Sequence, residues 1–356
     1  MQKKKGGGEL IHFNEEAYSI LKNYLLHEID SIKNIFILVD DITHRHCIPV
    51  LFHRIDFLKK SNIIKIKSGE KEKNIHTCIQ ICKDLGRLKA NRKSLMINLG
   101  GGVVTDIGGF VATIFKRGIR FVNIPTTLLG MVDAAIGYKT GVNLDSIKNE
   151  IGSFYIPELL IIDTHFLRTL SPEEIFSGMA EMFKHGLIAD RNFWNQMNQI
   201  QTNIIQNENK WKNLIHQSIL IKQKIVNQDP KEKGLRKILN FGHTIGHALE
   251  SYLMNINRIL HGIAVIMGMI HESWISCKIN GLSISDYKEI QSTLSALCPI
   301  KNQKISNLEI NKLLQIMEHD KKNEKNKIQF SLLREIGKCS YNCQVPYSLI
   351  KESFLN

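Results

Sequence analysis

Between Ile35 and Ile124 the chain alternates short aliphatic runs with amphipathic stretches and glycine-bearing turns. Ile35–Asp40, Ile63–Ile66, Ser94–Leu99 and Phe121–Ile124 are rich in β-branched and aliphatic residues, and the spacing predicts strands. Asn74–Lys89 between them carries apolar positions at helical spacing. Strands and helices taking turns predict an α/β, Rossmann-like domain around a mostly parallel, doubly wound sheet. Near Leu170 the texture changes. Ser171-Pro172-Glu173-Glu174 combines a serine cap, proline at the first helical position and glutamate three residues after the cap, which opens a helix. Beyond it Phe193–Lys224, Thr244–Met254 and Val265–Cys277 repeat every 3.6 residues, so everything that follows reads as helix. The pattern predicts an α/β domain over 1–170 and a mostly α-helical domain over 171–356, with an active site in the cleft between them. No internal repeat is present.

Composition narrows the function classes. A chain of 356 residues with 43% hydrophobic and 23% charged residues is globular, of a length for two domains. No apolar run approaches the roughly 18 residues of a membrane helix. Lys3, Lys4 and Lys5 lead into glycines rather than an apolar segment, so neither signal peptide nor membrane span is expected. The seven cysteines, Cys47, Cys78, Cys82, Cys277, Cys298, Cys339 and Cys343, form no C-x-x-C pair and fit a reducing cytoplasm. Cys78/Cys82 and Cys339/Cys343, four apart, would share helical faces as small buried hydrophobes. The net charge of +13 raises nucleic acid as a partner, but the basic residues are dispersed apart from short clusters such as Lys321–Lys327. No basic patch is interleaved with aromatics, so nucleic-acid binding is not expected.

Three regions carry chemistry. In Leu99–Phe110 three glycines, Gly100, Gly101 and Gly102, lie between a strand and a helix. They make either a loop whose bare amides cradle a pyrophosphate or a tight packing turn. Asp40 ends the first strand, where it could take a ribose hydroxyl, and Ser68–Lys73 closes another strand at the same sheet edge. Pro125–Asp133, Ile136–Asn143 and Lys148–Gly152 gather hydroxyls, a carboxylate, lysines and asparagines in a glycine-hinged loop. The third region is Asn240–Glu250 followed by His261, together with Ala180–His185. His243 and His247 share a helix face, and with His261 and a glutamate they supply N/O ligands with an open position, as at a catalytic divalent metal. Lys184, Lys222 and Arg236 add cations, so a nucleotide, a metal and an anionic small substrate are implied together.

These residues resemble the 3-dehydroquinate synthase family of the sugar phosphate cyclases. Gly-Gly-Gly-Val-Val-x-Asp, Pro-Thr-Thr-Leu-Leu-x-x-Val-Asp, Lys-Thr-Gly-Val-Asn, Lys-Asn-x-Ile-Gly, Gly-Met-Ala-Glu and Gly-Leu-Arg-x-x-Leu-Asn-Phe-Gly-His-Thr-Ile-Gly-His-Ala-Leu-Glu occur in the family's order between about Asp40 and Lys322. The resemblance implies that Asp40, Glu70, Lys73, Gly100, Gly101, Gly102, Asp106, Thr126, Thr127, Lys148 and Thr169 contact NAD. It implies that Glu181, His243 and His261 hold zinc, or cobalt in its place, and that His247 faces substrate. The implied substrate set is Asp133, Lys139, Asn149, Lys184, Lys222, Arg236 and Asn240, with one of Lys321 or Lys322. Arg117 would reach in from the other subunit of a homodimer, and Glu232 matches a carboxylate proposed as a base. The implied reaction is that of a phosphate lyase in the shikimate pathway to aromatic amino acids. It converts 3-deoxy-D-arabino-heptulosonate 7-phosphate to 3-dehydroquinate by transient oxidation with recycled NAD, β-elimination of phosphate, re-reduction and intramolecular aldol closure.

The chain departs from the family pattern at four places. Asp133-Ala134-Ala135 and Gly137-Tyr138-Lys139 replace the more polar Asp-Ser-Ser and Gly-Gly-Lys. Ile263 stands where a glutamate usually follows His-Gly, removing a carboxylate that could support a zinc-bound imidazole. Ile42 stands where an asparagine is frequent. No metal ligand or substrate cation is lost, so an active enzyme is expected. Another sugar phosphate cyclase, or a metal-dependent polyol dehydrogenase of the same fold that releases NADH, are the alternatives. The intact Asn149, Lys222, Arg236 and Asn240 favour a substrate carboxylate and hence the dehydroquinate reading.

Overall fold

The apolar runs of the first half pair side by side in a computed structural model, which describes residues 10–28, 30–145, 147–199, 208–253, 259–297, 307–318 and 328–355. The four expected strands are β2 (Ile35–Asp40), β3 (Asn62–Ile66), β4 (Leu95–Gly100) and β5 (Arg120–Pro125). Two short strands, β1 (Ile11–Phe13) and β8 (Leu159–Ile162), join them in one sheet of order β1-β8-β5-β4-β2-β3. Every pairing in it is parallel. The connections include α1 (Asn14–Glu28), the short α2 (Asp41–His46) and α3 (Ile48–Arg54), α4 (Ile75–Arg87) and α5 (Gly102–Ile114). Asn74 caps α4 by accepting from the Thr77 amide, which fixes the start of that helix. Phe36, Leu38 and Met96 from the strands bury against Ile81, Leu85, Val104, Ile107 and Val111 from α4 and α5.

The chain divides into two compact units, Met1–Ser171 and Pro172–Asn356. The second contains α6 (Pro172–Ala189), α7 (Arg191–Asn198), α8 (Glu208–Gln228), α9 (His243–Leu253), α10 (His261–Ile279), α11 (Ile284–Leu297), α12 (Asn307–Glu318) and α13 (Tyr347–Ser353). Ile245, Leu249, Trp274, Ile275 and Leu313 form its core. No helix among the described residues is long and apolar enough to cross a membrane.

Three expectations are corrected. The segment read as a glycine-hinged loop holds one turn of π-helix, Gly130–Ala134, and an antiparallel hairpin, β6 (Lys139–Leu144) with β7 (Ile147–Phe154). The second unit is not helical throughout: β9 (Gln329–Glu335) and β10 (Lys338–Gln344) pair antiparallel, and Phe330 and Leu332 close the core over α9 and α10. Cys339 and Cys343 therefore lie on strand β10, not on a helix, whereas Cys78 and Cys82 do share α4. Lys3–Lys5, Cys298 and the Lys321–Lys327 cluster lie outside the described residues.

Candidate active site

In a parallel sheet the carboxyl ends of the strands form one edge, where ligands of such folds bind. Gly100 ends β4 at this edge, Gly101 follows as a cap that offers no side-chain hydrogen bond, and Gly102 opens α5. With no side chain capping the first turn of α5, its bare backbone fits a pyrophosphate. Thr126, buried, and Thr127 follow β5, with the Thr127 hydroxyl accepting from the Gly130 amide at 3.0 Å. Asp40 ends β2, and its Oδ1 accepts from the Thr43 amide at 2.7 Å, so this oxygen caps α2. After β3, Lys73 is buried with Nζ 2.6 Å from Asp106 Oδ2 and 2.6 Å from Asn149 Oδ1. Burial pushes the Asp106 carboxyl above its usual range, with Lys73 opposing the rise. Asn143 ties the cluster together: its Nδ2 donates to Glu70 Oε1 at 2.9 Å and its Oδ1 accepts from the Asn149 amide at 2.9 Å. Glu70, Lys73, Asp106 and Asn149 are one network.

The rest of the expected set in this unit lies on other elements. Asp133 lies in the π turn, Lys139 is exposed at the start of β6, and Lys148 is half-buried on β7. Thr169 is exposed and its hydroxyl donates to the Phe166 carbonyl. Arg117 is exposed in the turn after α5 with φ +67°, beside Lys116 at +51° and Gly118 at +117°.

In the second unit three helices converge. Glu181 on α6, fully buried, directs Oε1 to within 3.5 Å of His243 Nε2 on α9 and 3.7 Å of His261 Nε2 on α10. Its other oxygen is held by the Lys184 ammonium one turn along α6. Oε1 itself has no hydrogen-bond partner. A buried carboxylate oxygen without a partner is costly, and a divalent cation among the three groups would satisfy it. His243 Nδ1 donates to the Phe241 carbonyl at 3.2 Å, which turns the lone pair of Nε2 toward Glu181. His261 Nδ1 is 3.3 Å from Glu250 Oε2. Burial alone would lower the pKa of His261, but the Glu181 and Glu250 carboxylates outweigh it and hold the group up at about 9. His247, one turn from His243, has its ring 5.7 Å from that of His261 and closes a group of three imidazoles whose ligand atoms lie within 4.8 Å of one another. The donor set of nitrogen and carboxylate oxygen, without cysteine, suits zinc or a similar ion at an open site.

In the same unit Arg236 and Lys222 are buried, and Asn240 Nδ2 donates to Glu232 Oε1 at 2.9 Å. Models of the 3-dehydroquinate synthase N-terminal and C-terminal domains match residues 63–177 and 178–323. The 3-dehydroquinate synthase of Parabacteroides distasonis is 41% identical over 336 residues, with 94% of each chain covered. The chain belongs to the 3-dehydroquinate synthase family. The 3-dehydroquinate synthase of Pelagibacter ubique is 38% identical, again with 94% of each covered. Among solved structures, 2-epi-5-epi-valiolone synthase from Streptomyces hygroscopicus, with NAD+ and Zn2+ bound, superposes with TM-score 0.85 at 22% identity, covering 100% of this chain and 98% of that one. A 2-deoxy-scyllo-inosose synthase complexed with carbaglucose-6-phosphate, NAD+ and Co2+ gives 0.82 at 25%, covering 97% and 95%.

Within this 3-dehydroquinate synthase family member, sequence reasoning gave Glu250 no role of its own and missed Glu272, whose partners are remote. Glu250 faces His261, and Glu272, fully buried on α10, accepts from the Gly242 amide at 2.7 Å and the Ile245 amide at 3.1 Å. Glu272 thereby fastens the start of α9, the helix that carries His243 and His247. Ile263 is buried. Lys321 and Lys322 lie outside the described residues.

Proposed function

We propose that this chain converts 3-deoxy-D-arabino-heptulosonate 7-phosphate to 3-dehydroquinate and phosphate, with NAD along the carboxyl edge of the sheet and zinc on Glu181, His243 and His261. The observation that carries the reading is Glu181 Oε1, buried, without a hydrogen-bond partner, and shared between two imidazole nitrogens. When bound, NAD supplies a two-electron acceptor that is returned each turnover, and zinc supplies a Lewis acid for the substrate hydroxyls. The chain's residues supply the rest. Lys184 neutralises one oxygen of Glu181, leaving the other for the metal. Glu250 fixes the tautomer of His261. Gly100, Gly101, Gly102, Thr126, Thr127, Asp40, Glu70, Lys73, Asp106, Lys148 and Thr169 bind the nucleotide, the buried Lys73–Asp106 pair stiffening that edge.

Lys139, Lys222 and Arg236, with Arg117 of a second copy in a homodimer, neutralise the substrate's carboxylate and phosphate and hold charge that develops during elimination. Asp133, Asn149 and Asn240 orient the hydroxyls, and one of Lys321 or Lys322 joins the set. His247 moves a proton beside the metal, and Glu232 orients Asn240. A cytoplasmic location suits such a biosynthetic enzyme.

The test incubates purified protein with the heptulosonate phosphate, zinc and NAD well below the substrate concentration, following phosphate and dehydroquinate together. Equal yields of both, many per NAD and abolished by a chelator, are expected. Net accumulation of NADH would overturn the reading in favour of a polyol dehydrogenase.

A further inference from the structure

Arg236 and Asn240 both lie on one short 3₁₀ segment, Leu235–Asn240, and the six residues between α8 and that segment, 229–234, are an irregular loop. A guanidinium carried by such a loop has to be held before it meets an anion, or ordering it on binding would consume affinity. The loop is gathered by one side chain. Asp229, the residue directly after α8, accepts from the Lys233 amide on Oδ1 at 3.0 Å, and on Oδ2 from the Gly234 amide at 2.7 Å and the Arg236 amide at 3.1 Å. Its own carbonyl accepts from the Glu232 amide at 3.2 Å, which leaves Glu232 in the left-handed region at φ +56°. The Arg236 guanidinium then donates back to the Pro230 carbonyl at 2.9 Å, and Asn240 donates to Glu232. Burial would raise the Asp229 carboxyl, but the three amides and the Arg236 charge outweigh it and hold the group below its usual range, so it stays ionised.

We propose that Asp229 is a positioning residue for substrate binding: it folds residues 230–236 around its carboxylate, so that Arg236, Glu232 and Asn240 are presented as one prearranged set. Three backbone donors on one carboxylate are more than helix termination requires, and one of them is the amide of the arginine itself. The proposal rests on the reading of Arg236 as a substrate cation. It goes beyond that reading in placing the control of Arg236 on a residue whose carboxylate is engaged by backbone amides.

The test compares Asp229→Ala, Asp229→Asn, Arg236→Lys and the double variant Asp229→Asn/Arg236→Lys as holoenzymes loaded with zinc and NAD. Melting temperature, zinc content and NAD affinity are measured beside kcat and KM for the heptulosonate phosphate. Asp229→Ala is expected to raise KM by roughly ten- to a hundredfold, as a displacement of about 1 Å in a binding group does. Zinc content and NAD affinity should stay near wild type. Asp229→Asn, which keeps one accepting oxygen, should recover part of the loss and provides the folded variant if the alanine does not fold. Because Asp229 acts through Arg236, the double variant should lose little more than Arg236→Lys alone. Additive losses, or an Asp229→Asn enzyme with a lower melting temperature but unchanged KM, would overturn the proposal while Arg236→Lys remains damaging. An Arg236→Lys enzyme with normal kinetics would instead remove the underlying reading of Arg236, and the proposal with it.

Discussion

Gly268 is where α10 passes closest to the start of α9, and a single methyl group there tests how the metal-binding geometry is set. A Cβ built on Gly268 falls 1.9 Å from the Gly242 carbonyl oxygen and 2.8 Å from the Gly246 amide nitrogen, both backbone atoms that no rotamer change can move. Ordinary contact begins near 3.4 Å, so the helices must separate by about 3.4 − 1.9 = 1.5 Å. Overpacking of this kind costs about 1–3 kcal/mol. The shift also stretches the 2.7 Å bond from the Gly242 amide to the buried Glu272 carboxylate, a charge-assisted bond worth about 1.5–3 kcal/mol. Alanine returns roughly 0.5–1 kcal/mol of helix propensity. The balance is a loss of about 2–4 kcal/mol, which lowers the melting temperature of a unit this size by roughly 5–15 °C. A displacement above 1 Å also exceeds the roughly ±0.2 Å that a metal–ligand bond tolerates, because His243 rides on α9 while Glu181 and His261 do not. Gly268→Ala should therefore bind zinc at least tenfold more weakly in competition with a chelator, with turnover falling unless zinc is in excess. The control is Gly86→Ala on α4, where a Cβ meets nothing within 4 Å and a gain of about 0.5–1 kcal/mol is expected. A Gly268→Ala enzyme that melts with wild type and holds zinc equally well would refute the reasoning.

The same geometry yields further expectations. Replacing Glu250 by leucine removes the carboxylate 3.3 Å from His261 Nδ1 and should weaken zinc binding by about 10- to 100-fold, with glutamine intermediate; chelator titration decides it, and undiminished affinity would remove Glu250 from the site. Lys73→Met strands the Asp106 carboxylate and should cost about 3–5 kcal/mol in the stability of the α/β unit together with NAD affinity; adding Asp106→Asn should restore the stability, read by urea unfolding, without restoring NAD affinity, read by fluorescence titration. Burial lowers the pKa of His271 from 6.5 to about 4, against a bond to the Ser353 carbonyl at 2.8 Å. Its stabilising effect is complete above pH 6.5 and is lost as pH falls toward 4, because only the unfolded chain takes up the proton in that window. At pH 5 the loss is 6.5 − 5 = 1.5 pH units, or about 2 kcal/mol. His271→Asn should fall less steeply by that amount between pH 7.5 and 5, and parallel stability curves would show that His271 does not titrate as stated.

How far the sequence could be read depended on the distance over which each residue finds its partner. The strands β2 to β5 and the histidine pair His243/His247 were legible because aliphatic runs and a four-residue spacing are local facts. The β9–β10 hairpin was not: β9 buries four consecutive residues and so shows no alternation, and β10 is Lys-Cys-Ser-Tyr-Asn-Cys-Gln, with little apolar signal of its own. Its existence depends on the apolar surface of α9 and α10, which only the fold assembles. The site divides in the same way. Ligand candidates announced themselves by residue type, whereas Glu272, which fastens the start of α9, meets amides 30 and 27 residues away and was invisible.

Ile263 shows the consequence. Read by position, it removes a carboxylate beside His261 and predicts a weakened metal site. In the fold the isoleucine is buried, and His261 Nδ1 faces Glu250 from the neighbouring helix. A support of this kind is defined by the atom it reaches and not by its place in the chain, so a second carboxylate two residues from His261 is dispensable as long as Glu250 remains. The double variant Ile263→Glu/Glu250→Leu separates the two positions. If a carboxylate at 263 can take over the role, it should regain part of the zinc affinity that Glu250→Leu loses; if affinity stays low, the support belongs to Glu250 alone.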